Sequence, residues 1–377
     1  MRELETGPRS RLHTYIEQNL LRHVWGPFHR AIYATLPGQA EGIFGWVAAN
    51  YDHALPRFDG SKGYLEMGGQ TMQVAFKTVQ DQVRDTRKAF HRIKIGEEHN
   101  VFTHCWETGG ADAKWNSYLD SFVGHAGVRD NADIASIPVL VDSTGTGTFV
   151  DCLRGCHKLL GCPVDACQNL TGICPVVKKQ GCLIQRLPQH IHTQLPNTWV
   201  GSAAFIHGVR GGFPDLRISN EYNPLRLLRD AYRLHTMSYT RCTAEAAYQS
   251  NPQYLWRAVF NAVYTSVTLH LGLGVPMAPG DGFAAQVSNL IRRVLDDVRG
   301  IPTQAQLQQF LEALGNLDPD NPGPEWAEES WAEDPFTPNS RPYSILDSND
   351  KPWALGAALV YAMDVGNPGC LRDLVRE

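Results

Sequence analysis

Two apolar runs flank a double glycine, Tyr64-Leu65-Glu66-Met67 before Gly68-Gly69 and Met72-Gln73-Val74-Ala75-Phe76 after it. Short apolar runs around a glycine pair predict a strand, a tight turn and a second strand. A turn without side chains bares backbone N–H groups, and several pointing together cradle an anion. Glu66 stands just before the turn, and Gln70, Thr71 and Gln73 follow it. Thr71 and Gln73 occupy alternate strand positions and face the same way, so a hydroxyl and an amide can grip one water or one phosphate oxygen. The plainer alternative is a hairpin that needs glycine only for positive φ, with an incidental polar edge. Upstream, Glu41 opens the segment Glu41-Gly42-Ile43-Phe44-Gly45-Trp46. An acid in the first turn of a helix favours the helix dipole, and the glycines beside it let another backbone or a ligand come close.

Other chemistries lack their motifs. The sequence has no Gly-x-x-x-x-Gly-Lys-Ser/Thr loop, no His-Glu-x-x-His and no Gly-x-Ser-x-Gly. A formal net charge of −5 argues against an extended nucleic-acid partner. It leaves room for a nucleotide, which needs one local cradle and a metal. With 377 residues, 43% hydrophobic and 19% charged, the chain is long enough for two lobes and has a globular composition.

Six of the nine cysteines, Cys152, Cys156, Cys162, Cys167, Cys174 and Cys182, crowd into one stretch. That crowding predicts disulfides and an oxidising compartment. A zinc site is disfavoured because no Cys-x-x-Cys pair occurs. Asn169-Leu170-Thr171 is a glycosylation pattern within the same stretch. The first residues do not read as a signal peptide, and no apolar run reaches the ~18 residues needed to span a bilayer. A lumenal or secreted protein lacking its targeting segment reconciles these observations.

The elements that must position the candidate residues follow from periodicity. Residues 9–25 carry apolar positions at helical spacing, including Tyr15. Glu41–Tyr51 predicts a second helix, apolar on one side. The segment His91–Trp106 predicts another strand, and Ala111–Phe122 a helix. The cysteine stretch reads as loops and short strands. Helices are predicted at Leu225–Leu234, Tyr254–Leu271, Gly282–Val298 and Thr303–Leu314, and the acidic, proline-bearing Asp318–Asp334 as a surface loop. Trp46, His270 and Trp353 read as core residues.

Several segments in order resemble the apyrases, the family of ectonucleoside triphosphate diphosphohydrolases and Golgi nucleoside diphosphatases. Ala40-Glu41-Gly42-Ile43-Phe44-Gly45-Trp46-Val47-Ala48-Ala49-Asn50-Tyr51 resembles their third characteristic region. Gly63-Tyr64-Leu65-Glu66-Met67-Gly68-Gly69-Gln70-Thr71-Met72-Gln73 resembles the fourth, an acid–apolar–Gly-Gly-Ala-Ser-x-Gln pattern. Val101–His104, Gly147–Leu160, Trp199–Ser202, Leu269–Pro276 and Pro352–Ala357 continue the similarity. Met1-Arg2 resembles the end of the second region, so the resemblance implies a chain that begins inside a motif.

The resemblance implies an α/β fold of the actin/hexokinase type, two ribonuclease H-like lobes with nucleotide phosphates in the cleft between them. Residues 1–38 would be a remnant of the first lobe. Residues 39–345 would form the second, with a cysteine-rich insertion at about 150–185, and residues 346–377 a helix returning to the first. It further implies that Glu41 is the general base, that Thr71 and Gln73 hold the water, and that Gly68, Gly69 and Gln70 bind phosphate. Glu66 would stand near a hydrated Ca²⁺ or Mg²⁺, where the family commonly has Asp, and Gln70 replaces a usual small residue. The substrate would be a nucleoside di- or triphosphate, hydrolysed in the secretory pathway. Two alternatives are a non-catalytic relative that binds nucleotide weakly and a disulfide-rich lumenal interaction protein.

Overall fold

A computed structural model describes residues 10–11, 14–15, 36–52, 57–58, 60–78, 89–95, 97–120, 149–161, 183, 196, 198–203, 205, 227–229, 231–232, 235, 252–273, 312, 344–347 and 357. The helix α1, Gly38–Asn50, precedes a two-stranded ribbon of β1, Tyr51–Asp52, and β2, Arg57–Phe58. A six-stranded sheet follows, built from β3 (Gly63–Met67), β4 (Met72–Lys77), β5 (Phe90–Ile95), β6 (Glu97–Trp106), β7 (Thr198–Ala203) and β8 (Ser344–Asp347). Its spatial order is β5-β6-β4-β3-β7-β8. The pairings β5–β6, β6–β4 and β4–β3 are antiparallel, whereas β3–β7 and β7–β8 are parallel. The fold class is therefore mixed α/β, and the sheet adds β7 and β8, from far along the chain, beside β3, with β8 at its edge.

The glycine pair behaves as its neighbours predict. Two runs of β-prone residues fold back on each other, with Tyr64 opposite Ala75 and Glu66 opposite Gln73. Strand alternation then divides the side chains between two faces. Tyr64, Ala75, Ile93, Ile95, Val101 and Val200 share a core cluster with Ile43, Phe44, Trp46 and Val47 of α1. The other face is aromatic, with Phe76 against Phe102 and Trp199, and Phe90 against Phe102.

α1 differs from its expectation. It is buried around nearly its whole circumference, with only Gln39 and Glu41 partly exposed, rather than apolar on one side. A helix without a polar face belongs inside a domain. Its glycines serve that burial. A Cβ at Gly42 would lie 2.7 Å from Thr103 Oγ1, and one at Gly45 would fall inside the ring of Tyr64. The close approach allowed by these glycines is therefore to the sheet beneath. Asn50 closes the helix: its Nδ2 donates to Trp46 O at 2.9 Å and Lys62 O at 3.0 Å, and its Oδ1 accepts from Lys62 N at 2.8 Å.

Three further helices, α2 (Ala111–Tyr118), α3 (Phe149–Leu160) and α4 (Pro252–Val267), pack on one another. Trp115 and Tyr118 of α2 meet Phe260 of α4, and Lys114 Nζ donates to Leu159 O at the end of α3. Past α4 the helix widens to a π turn, Thr268–Gly272.

Four expectations need correction. The segment His91–Trp106 holds two strands, paired from Ile95↔Glu97 onward, because its alternation restarts at Glu97 and covers both. The start of the cysteine stretch is the helix α3 rather than loop. Cys152 and Cys156 lie one turn apart on α3, wholly buried and in no disulfide. Buried cysteine packs as a small apolar residue, and here two of the six do so. Finally, Tyr15 is 59% exposed, so the apolar side assigned to residues 9–25 does not include it in a core. Trp46 is fully buried as expected, whereas His270 is only partly so. The predicted helix Gly282–Val298, the acidic loop Asp318–Asp334, Trp353, Asn169 and the last four clustered cysteines lie outside the described residues.

Candidate active site

Glu41 is placed by both ends of its turn. The first turn of α1 starts with Ala40 N and Glu41 N donating to Pro37 O at 3.0 and 3.3 Å. Thr103 on β6 donates its hydroxyl to Gln39 O at 3.2 Å, tying that turn to the sheet. The carboxylate thus stands over the end of β4. Gln73 Nε2 donates to Glu41 Oε2 at 2.9 Å and to Thr71 Oγ1 at 2.7 Å. Thr71 and Gln73 do face the same way, and Glu41 joins them. Gln73 is 1% exposed, yet its Oε1 has no hydrogen-bond partner. Buried amide oxygens are nearly always paired, so one left over beside a carboxylate leaves an acceptor for a water or ligand.

The glycine turn is oriented from behind. The first N–H groups of α2 all donate to its carbonyls: Gly110 N to Gln70 O at 3.0 Å, Ala111 N to Gly68 O at 2.9 Å, Asp112 N and Ala113 N to Gly69 O at 2.8 and 3.0 Å. In a trans peptide the C=O and the following N–H point in opposite directions, and the described residues contain no cis bond. With three successive carbonyls aimed at α2, the N–H groups of Gly69, Gln70 and Thr71 point away from it, on the exposed side of the turn. Such a run of amides is an arrangement that can receive an anion.

Neither Gly68 nor Gly69 adopts positive φ, so the plainer account of the glycine pair is not the reason for it. Close approach is the reason at Gly69, but not at Gly68, where a Cβ would meet only Thr71 O at an ordinary 3.5 Å. A Cβ at Gly69 would lie 2.6 Å from Asp112 Oδ2, and one at Gly110 would lie 2.5 Å from Gly69 O and Gln70 C.

Glu66 faces the same side as Gln73, its partner in the ladder. Tyr64 donates its hydroxyl to Glu66 Oε2 at 3.1 Å. Burial is the first cause that pushes the Tyr64 phenol well above its ordinary range, and the Glu66 charge adds to it, so the phenol stays a neutral donor. Thr103, Tyr64 and Gly110 were not singled out from sequence. Only Gly110 left a signal there, as half of a second glycine pair just before a helix.

Residues 1–170 match the model of the GDA1/CD39 (nucleoside phosphatase) family. Among curated relatives, the Golgi apyrase of Schizosaccharomyces pombe is 30% identical over 160 residues, which are 37% of this chain and 28% of that protein. The nucleoside-triphosphatase ntp-1 of Caenorhabditis elegans is 25% identical over 162 residues, 38% and 30% of the two chains. Ectonucleoside triphosphate diphosphohydrolase 2 of Mus musculus is 31% identical over 110 residues, 26% and 21%. The matched part thus spans less than a third of each relative, at 28%, 30% and 21% of their lengths.

Proposed function

We propose that this site hydrolyses the terminal phosphate of nucleoside di- and triphosphates, with Glu41 as the general base. The observation that carries this reading is the triad of Glu41, Gln73 and Thr71. One Gln73 N–H donates to each neighbour, which leaves the Thr71 hydroxyl proton and the Gln73 carbonyl oxygen to meet one water beside the Glu41 carboxylate. Such a water accepts from Thr71 and donates to Gln73 Oε1 and Glu41. Proton removal by Glu41 then sharpens it as a nucleophile. Phosphoryl transfer asks little covalent help of a protein beyond this alignment and charge neutralisation. The amides of Gly69, Gln70 and Thr71, held by α2, supply preorganised donors to the phosphoryl oxygens.

A divalent cation fits the donor set. Among the described residues no three His, Cys, Asp or Glu side chains gather to hold an ion. One carboxylate, Glu66, is what a phosphate-borne and largely water-coordinated Ca²⁺ or Mg²⁺ asks of the protein. When bound, the ion would neutralise charge on the phosphate oxygens. The mixed sheet supports reading residues 39–345 as a ribonuclease H-like lobe, one of two in an actin/hexokinase-type architecture. The names of the relatives support a place in the secretory pathway or at the cell surface. Among the described residues no helix is long and apolar enough to cross a membrane.

The test is Glu41→Gln, a substitution that keeps the shape and removes the base. Phosphate release from UDP, GDP and ATP with Ca²⁺ or Mg²⁺ should fall at least about a hundredfold. Release at the unmutated rate would rule out Glu41 as the base.

A further inference from the structure

Tyr64 takes no part in the hydrolytic scheme, yet it is fully buried with its polar end turned toward the site. The ring has a fixed seat. It lies under α1 where Gly45 leaves space, since any side chain at 45 would overlap it. The hydroxyl is gripped from two strands. It donates to Glu66 Oε2 at 3.1 Å, and the Ser202 side chain on β7 hydrogen-bonds to the phenol. Parallel pairing sets Ser202 directly beside Glu66, so the phenol bridges neighbours of the ladder. A partly exposed glutamate has several rotatable bonds, and holding it in one geometry costs rotamer freedom unless a rigid donor prepays that cost.

We propose that Tyr64 is a positioning residue for Glu66: its hydroxyl, aimed by Ser202 and by the seat against Gly45, holds the Glu66 carboxylate beside the glycine turn, where it meets the hydrated cation of a metal–nucleotide. The inference rests on the role given to Glu66 above. It adds that a phenol, two residues earlier on the same strand, sets the reach of a glutamate. A locked side chain offers its oxygens to one point in space, as a site for a partly hydrated ion requires.

The experiment uses the chain itself and its Tyr64→Phe, Glu66→Gln and doubly substituted forms. Binding of a non-hydrolysable ATP analogue is measured by calorimetry, once with Ca²⁺ and once with EDTA, and thermal unfolding is followed in parallel. Tyr64→Phe keeps the ring and loses only the hydroxyl. It should weaken Ca²⁺-dependent binding about tenfold, the scale of one hydrogen bond to a charged group. Binding in EDTA should stay near that of the unmutated chain, and the unfolding midpoint should fall only by what the lost hydrogen bonds to Glu66 and Ser202 contribute. The double form should bind no more weakly than Glu66→Gln alone, because the phenol acts through Glu66. Equal losses with and without Ca²⁺, or no loss for Tyr64→Phe while Glu66→Gln is impaired, would overturn the positioning role alone. An unimpaired Glu66→Gln would overturn it together with the metal role of Glu66.

Discussion

The Gln73 amide reaches Glu41, 32 residues earlier in the chain, at 2.9 Å while leaving its own buried carbonyl oxygen unpaired. Gln73→Leu should therefore separate function from folding. It should cut the rate of phosphate release about a hundredfold through lost alignment and move the unfolding midpoint little, since removal of an unpaired buried oxygen offsets the loss of the hydrogen bonds to Glu41 and Thr71. Initial rates and calorimetric melting of the same preparation check both halves.

The turn that offers its amides to phosphate depends on a residue outside it. Gly110→Ala puts a methyl group 2.5 Å from Gly69 O and Gln70 C, so the turn must move away from α2. The amides of Gly69, Gln70 and Thr71 lose their common aim. KM for nucleotide and the inhibition constant of inorganic phosphate should both rise about tenfold, the loss of one well-made anion contact. Glu41→Gln, by contrast, should lower kcat and leave phosphate inhibition unchanged.

Asn50, buried at the end of α1, holds Lys62 just before β3 by two hydrogen bonds and returns a third to Trp46 O of its own helix. Asn50→Ala would strand Lys62 N and Lys62 O and open a small cavity. The expected cost is about 3 kcal/mol, read as a lower urea midpoint. Activity should fall with it, because α1 carries Glu41.

His99 is buried between the rings of Trp46 and Phe58. Burial, and then the Lys77 charge, lower its pKa below the usual 6.5, against the smaller pull of Ile95 O and Glu97. The unfolded chain therefore takes up a proton at a higher pH than the folded one. Stability from this group is whole above 6.5 and is lost as pH falls from there through the folded value. Urea midpoints at pH 7.5 and pH 5 should show the decline, and His99→Phe should flatten it.

The hairpin at Gly68-Gly69 was legible because strand and turn signals agreed locally, and the helix at Glu41–Tyr51 because its apolar residues are dense. What escaped was set by distant partners. That α1 is enclosed depends on Tyr64, Thr103 and the sheet, none of which its own periodicity reveals. The cysteines of α3 suggested bridges by their crowding, yet Cys152 and Cys156 share one helical face and pack as apolar side chains. The meeting of Glu41 with Thr71 and Gln73 needs the register of β4 and the depth of α1 together. The sequence suggested that meeting only through family resemblance, while the stacking of the glycine turn on α2 left one local trace, the second glycine pair Gly109-Gly110.

The parallel contact of β3 with β7, in which Gly63 meets Trp199, also bears on how the molecule is made. Closing so long a span costs only about 2 kcal/mol more than closing one a tenth its length. The delay is the greater burden. As the chain leaves the ribosome, β3 can fold with β4 and β6 at once, but its other border must wait for a strand not yet translated. An unsatisfied strand border invites the wrong neighbour. The nascent protein is thus most prone to aggregate in the interval before Thr198 emerges, and a chaperone that covers β3 during that interval would raise its yield.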